Sequence, residues 1–349
     1  MSIQLAIIVI LIIGIAFLIF FLIKKIILPK RAAAVEDYLN KSKTLQAVRT
    51  AKAVVEQDPK NAEAHFMLGK AYLAAKREEQ ALREYKSVSR LGIEGINIPE
   101  TEFRETIAGL YAQFHEEEEA LKEYILLIKR HPENPDYYFQ AGKLFSGRSR
   151  HELAEQYLRK AVSLNPKEGR YRFELGMHYY LSKKVKEASA EFEAALKLNP
   201  SDGQVQLYMG KIFKDTKDYA GAVPYLERAA KDQDHKLRAL VELGGCYMSL
   251  KMLDKAIPEL ERAVNIIKNE AEPDSLYARY FLAMCFEKTR EFPKAVAQWE
   301  KIYAQKKSFR DVGEKLTQYI EYRQEHAAPA VEARQGRTSP PAKESTGKP

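Results

Sequence analysis

The chain opens on an unbroken apolar run and then settles into a helical rhythm that it keeps almost to its end. From Leu5 to Ile23, nineteen residues carry no charge. Beyond residue 30, apolar residues recur at three- and four-residue spacing on either side of polar breaks such as Ser182-Lys183-Lys184. That is the pattern of paired amphipathic helices joined by short turns.

The pattern repeats. Val35, Gly69, Ala108, Gly142, Gly176, Gly210, Gly244 and Ala283 are separated by 34, 39, 34, 34, 34, 34 and 39 residues. Twelve residues after each comes alanine: Ala47, Ala81, Ala120, Ala154, Ala188, Ala222, Ala256 and Ala295. Three residues after each comes an aromatic: Tyr38, Tyr72, Tyr111, Phe145, Tyr179, Phe213, Tyr247 and Phe286. Pro59, Pro132, Pro166 and Pro200 stand twenty-four residues after four of the anchors. Small residues at fixed places let two helices cross closely, and the aromatic fills the space beside them. Proline ends the second helix and turns the chain into the next unit. The two longer spacings place five-residue insertions around Gly92 to Pro99 and Asn269 to Pro273, in turns where added length costs little.

These residues resemble the tetratricopeptide repeat family over roughly residues 30 to 307. Leu68-Gly69, Tyr72, Ala81 and Tyr85 carry the likeness in one unit, and Leu175-Gly176, Tyr179, Ala188, Phe192, Ala195 and Pro200 in another. The resemblance implies an all-α fold, a right-handed α-α superhelix or solenoid, here with an N-terminal transmembrane helix. The expected organisation is a transmembrane anchor at 1–24 and a juxtamembrane segment with the first helix of a degenerate repeat at 25–44. An array of about seven to eight repeats follows at 45–307, then a capping helix at 308–326 and a disordered tail at 327–349. Phe309, Val312, Leu316, Tyr319 and Ile320 keep helical spacing in the cap, which a stacked array needs for solubility. The tail is rich in Pro, Ala and charge, with no apolar period.

The nineteen apolar residues would make about 28 Å of helix, close to the hydrocarbon thickness of a bilayer. Nothing basic precedes them and Lys24, Lys25, Lys30 and Arg31 follow, which favours a retained anchor over a cleaved signal peptide and keeps the rest of the chain cytoplasmic. Net charge is +8, yet Lys and Arg alternate with Asp and Glu almost everywhere, so nucleic acid is not an expected partner. Cys246 and Cys285 are too few for a zinc cluster and occupy equivalent core places in adjacent units. Glu116 to Glu119 begins a helix, where carboxylates favour the positive end of its dipole. No nucleophile–base pairing or phosphate loop is present. The reading is a non-enzyme with no metal, no cofactor and no small-molecule substrate.

In the family it resembles, the first helix of each unit lines a groove that holds peptides or partner segments. Carried over, that implies Phe66, Glu105, Phe139, Phe173, Leu207, Val241 and Tyr280. Four residues on, it implies Lys70, Gly109, Lys143, Met177, Lys211, Gly245 and Met284. Tyr180, Met248 and Tyr277 complete the face, with Arg170, Lys214 and Arg238 beside them. Aromatic, methionine and basic side chains together suit an extended acidic-apolar protein segment. The order of anchor, repeats and tail resembles bacterial inner-membrane proteins of envelope assembly, such as the lipopolysaccharide assembly protein B family, without that family's rubredoxin-like four-cysteine module. The expected function is a membrane-tethered adaptor in a bacterial inner membrane. Two alternatives stand beside it: a structural subunit of a secretion or envelope machine using other surfaces, and an import-type receptor on an organelle membrane.

Overall fold

The structure, a computed structural model, describes the backbone of residues 3–22, 28–94 and 97–321, and side chains at 8–19 and within the described stretches from 33 on. The expected tail at 327–349, the end of the cap and the side chains of Lys24, Lys25, Lys30 and Arg31 lie outside the described residues. Every described element is helical.

The chain forms two compact units, residues 1–166 and 167–349. The first begins with α1 (Ile3–Leu22) and α2 (Leu28–Asn40), which pairs with α3 (Thr44–Gln57). Three further hairpins follow: α4 (Ala62–Ala74) with α5 (Glu78–Leu91), α6 (Glu100–Gln113) with α7 (Glu117–Arg130), and α8 (Pro135–Gly147) with α9 (His151–Leu164). The second unit holds α10 (Gly169–Leu181) with α11 (Val185–Leu198), α12 (Gly203–Asp215) with α13 (Tyr219–Ala229), α14 (Lys236–Ser249) with α15 (Leu253–Asn265), and α16 (Pro273–Lys288) with α17 (Phe292–Gln305). A last helix, α18, is described over 312–321.

The repeat is explained by what the anchors touch. A Cβ on Gly69 would lie 2.6 Å from the Tyr85 ring, and one on Gly176 would lie 2.6 Å from Phe192. Gly142, Gly210 and Gly244 meet Leu158, Leu226 and Leu260 in the same way. In each case the partner stands sixteen residues on, in the second helix of the hairpin. All eight alanines twelve residues after the anchors are 0% exposed, so every crossing except the first, where the anchor is Val35, is closed by a small residue from both helices.

Two further regularities were not apparent from helical periodicity. The turn inside every hairpin carries a left-handed residue seven positions after the anchor: Ser42, Lys76, His115, Ser149, Lys183, Lys217, Lys251 and Arg290, with φ between 56° and 64°. The residue after each closes the turn with a backbone bond five residues back, as in Arg77 N–H to Tyr72 C=O at 2.9 Å. The other regularity is a polar clamp between the two helices, from four residues before the anchor to fifteen after it. His65 Nδ1 lies 2.6 Å from Glu84, Arg104 Nη1 donates to Glu123 at 2.6 Å, Arg172 to Glu191 at 3.0 Å and Arg279 to Gln298 at 2.7 Å. Arg279, 4% exposed, also holds Glu270 in the second insertion through two bonds, satisfying a buried guanidinium from both sides. In the fourth hairpin, the Tyr138 and Tyr157 rings, 6.0 Å apart, take this place.

The expected transmembrane helix is not what the described residues show: among them no helix is long and apolar enough to cross a membrane. The described side chains of α1 run only from residue 8 to residue 19, about 18 Å of helix against the roughly 30 Å of a bilayer interior. All of them are apolar or glycine, and the large ones are 46% to 69% exposed.

Candidate functional site

The first helices of the hairpins position the candidate residues, and the structure divides them by row. The row three residues before the anchor turns largely inward. Phe66 (4% exposed), Phe139 (3%), Leu207 (1%), Val241 (5%) and Tyr280 (7%) are core residues, which corrects their expected place on the groove. The reason is contact within the hairpin and with the next one: the Phe66 ring stands 5.7 Å from Tyr85 of its own hairpin and 6.5 Å from Phe103 of the following one. Tyr280 packs 5.9 Å from Phe309 and donates to Asp311 at 2.8 Å. Only Glu105 and half-buried Phe173 of that row reach the surface. In the row one residue after the anchor, Lys70, Gly109, Lys143, Met177, Lys211, Gly245 and Met284 are half-buried or exposed.

In the first unit the cations of this face are engaged locally. Lys70 sits 5.4 Å from the centre of the Phe66 ring and 2.9 Å from Glu102, and Lys143 lies 5.4 Å from the centre of Phe139. A depression of about 390 Å³ there is lined by Glu36, Glu63, Met67, Lys70, Pro99 and Glu102, among others.

In the second unit the same face concentrates rings and charges around Tyr208. Its ring lies 5.8 Å from Phe173, 5.8 Å from Tyr180 and 6.1 Å from Phe192, and Lys211 Nζ is 5.3 Å from its centre. Tyr180 on α10 donates to Asp215 on α12 at 2.7 Å, and Lys214 on α12 is ion-paired with Glu242 on α14. These two bonds tie three successive first helices together along the face. Arg238 on α14 and Asp274 on α16 complete the cluster.

Lys211 and Arg238 are the chemically distinctive pair. Among the described residues neither has an ion-pair or hydrogen-bond partner. Burial, with the charge of Arg238 nearby, holds the Lys211 ammonium below the usual lysine range. Burial lifts the Asp274 carboxyl above its usual range, against the pull of Arg238. A lysine over an aromatic ring, with Arg238 close enough for its charge to be felt, is chemistry that can attract an anionic group bringing apolar surface with it. Exposed Arg170 and half-buried Met177 lie on α10 of the same face. Met248, Met284 and Tyr277 pack partly against the core, and Tyr277 is covered by Phe309 at 5.3 Å and Arg310 at 5.0 Å.

Tyr208, Asp215, Glu242 and Asp274 were not among the expected residues. Tyr208 and Glu242 occupy the row two residues before the anchor, adjacent to the row assigned from family resemblance and more exposed than it. A search of that row would have found Tyr208.

Cys246 and Cys285 are both 0% exposed, and burial pushes their thiols up to about 11, the state of inert core thiols. Among the described residues no three His, Cys, Asp or Glu side chains are grouped so as to hold a metal ion.

Comparison with known proteins bears on the fold. Models of the tetratricopeptide repeat match residues 40–91, 139–203 and 215–280, together a little over half of the chain. Yeast Tom70 superposes with a TM-score of 0.52 at 16% identity, over 84% of this chain and 62% of that one. The Cut9–Hcn1 hetero-tetramer of APC/C gives a TM-score of 0.51 at 14% identity, over 79% and 52%. A repeat-containing protein of Cytophaga hutchinsonii gives 0.49 at 17% identity, over 82% and 99%. At these identities the likeness is one of fold. No curated protein matches the sequence. With its hairpins closing on small anchors at a recurring 34-residue spacing and the repeat models matching three stretches of it, the chain belongs to the tetratricopeptide repeat family.

Proposed function

We propose that this protein is a non-catalytic, membrane-tethered adaptor whose second unit captures an extended acidic-apolar segment of a protein partner. The observation that carries the reading is Lys211 over the Tyr208 ring, which packs against Phe173 and Tyr180, with the charge of Arg238 nearby. The charge of Arg238 disfavours the half-buried Lys211 ammonium more than Glu242 and Asp215 offset it, and an incoming Asp, Glu or terminal carboxylate relieves that while its apolar neighbours cover the rings. A photo-crosslinking residue at Met177 in the full chain, followed by mass spectrometry, tests it. The adduct is expected on one discrete protein, within an acidic-apolar segment. Adducts from an outer position such as Lys186, with none from Met177, would instead identify a structural subunit that uses its other faces.

The tether rests on α1. A water-facing helix whose described side chains are all apolar or glycine exposes an apolar surface far larger than isolated surface leucines require. A lipid environment removes that cost. In the resembled bacterial inner-membrane layout, the helical units stand on the cytoplasmic side and the local concentration of the groove near its partners is raised. The full chain is expected to stay with the membrane pellet through an alkaline carbonate wash. Release into the supernatant would remove the tether from the reading and leave the groove untouched.

A further inference from the structure

The second helices of the hairpins present an outward row seventeen residues after each anchor, and one hairpin breaks its rule. That row reads Lys52, Lys86, Ile125, Arg159, Glu193, Glu227, Glu261 and Glu300. Ile125, on α7, is the one apolar member. Beside it Leu126 is 39% exposed. The two residues, with Leu121, line a shallow depression of about 580 Å³ whose polar rim is Glu118, Lys122 and Arg148.

The face of α7 is also palindromic. Counted from a midpoint between Glu123 and Tyr124, Glu118 stands opposite Lys129, Leu121 opposite Leu126, and Lys122 opposite Ile125. An antiparallel second copy of the same helix therefore meets opposite charges at both ends and leucine on leucine inside them, with the aliphatic stem of Lys122 laid along Ile125 at the centre. This is the requirement of an isologous two-fold contact, in which each patch must complement itself. The ends are free to do so. Among the described residues Lys129 has no ion-pair partner, and Glu118, whose side chain is 64% exposed, spends one contact of 2.6 Å on Arg148. The analogous helix α5 also begins with Glu79 and ends with Arg90, but Arg83 and Lys86 occupy its middle, so it carries no apolar seam.

We propose that the outer face of α7 is a self-association surface, occupied by α7 of a second copy of this chain about a two-fold axis. One helix per copy is a small contact of the transient class, so it is best read by trapping. The full chain in detergent micelles, with Ile125→Cys, is treated with a short bis-maleimide, whose span covers the offset of about 4.5 Å along the axis between position 125 and its symmetry mate, and compared with Glu193→Cys, the same register on α11. Covalent dimer is expected from Ile125→Cys and only background from Glu193→Cys, the native thiols being buried. Glu118→Lys, placed in the Ile125→Cys chain, sets lysine against lysine at both ends and should reduce the dimer to the Glu193→Cys level. Adding Lys129→Glu restores opposite charges and should restore the dimer. Equal trapping from positions 125 and 193, dimer unaffected by Glu118→Lys, or position 125 trapped to a different protein would each overturn the proposal. Rescue by the charge exchange separates this contact from association through α1 and from simple loss of folding.

Discussion

Phe192→Ala lowers the unfolding free energy of the full chain by about 3–5 kcal/mol, the cost of removing a fully buried ring that leaves a cavity. Phe192 is 0% exposed, abuts Gly176 at the closest crossing of its hairpin, and stands 5.7 Å from Phe173 and 6.1 Å from Tyr208. Little relaxation is available to fill the space, because Gly176 has no side chain and Ala188 and Ala195 beside it on α11 are small. A loss of this size is a large share of the 5–15 kcal/mol that holds an ordinary domain. In a repeat array it also weakens the coupling between neighbouring hairpins. Urea unfolding followed by circular dichroism reads it as a lowered midpoint. An unfolding free energy within about 0.5 kcal/mol of wild type, the range of neutral surface substitutions, would mean that the crossing is not packed as described. Phe192→Leu, which keeps most of the volume, should recover the greater part of the loss.

The second large effect falls on binding. Lys211→Glu combined with Arg238→Glu is expected to weaken capture of the acidic segment by at least about 100-fold, since each charge-assisted contact is worth roughly 1.5–3 kcal/mol. Repulsion is added to the loss. Both reversals set a carboxylate beside Asp274, and Lys211→Glu sets one beside Asp215 and Glu242 as well, so some stability is lost with them and circular dichroism has to show the double variant folded before binding is read. Calorimetric titration with the segment identified by crosslinking measures it, and the affinity of the wild-type chain should fall as salt is raised. Lys186→Glu combined with Lys197→Glu, two exposed lysines on the outer helix α11, makes the same change in net charge and serves as its control. If that control costs as much as the double reversal, the effect is one of overall charge, and the Lys211–Arg238 site is not the receptor.

The hairpins were legible because their determinant is local in pattern: a small residue every 34 positions or so, an alanine twelve further on and an aromatic three further on each report one helix crossing. The groove was less legible. Residues three before the anchor were assigned to it by resemblance, yet Phe66, Phe139 and Tyr280 are core, because helical spacing gives the face of a helix and not which neighbouring hairpin covers that face. Lys70, Met177 and Lys211 lie on a half-buried row, while Tyr208 one row away was missed. The polar clamps spanning nineteen residues, such as Arg104–Glu123, and the left-handed turn residues also escaped the pattern. Neither follows from a 3.6-residue period, and the turns use Lys, Ser, His and Arg where glycine or asparagine would have announced them. Charge partners such as Glu242 for Lys214 arise only when consecutive first helices are laid side by side.

The most direct test of the central claim compares the photo-crosslink from Met177 in cells carrying the wild-type chain and the Lys211→Glu, Arg238→Glu chain at equal abundance. The account predicts one adduct, attached through an acidic-apolar segment, in the first and its loss in the second. An adduct of undiminished yield in the doubly reversed chain would contradict it.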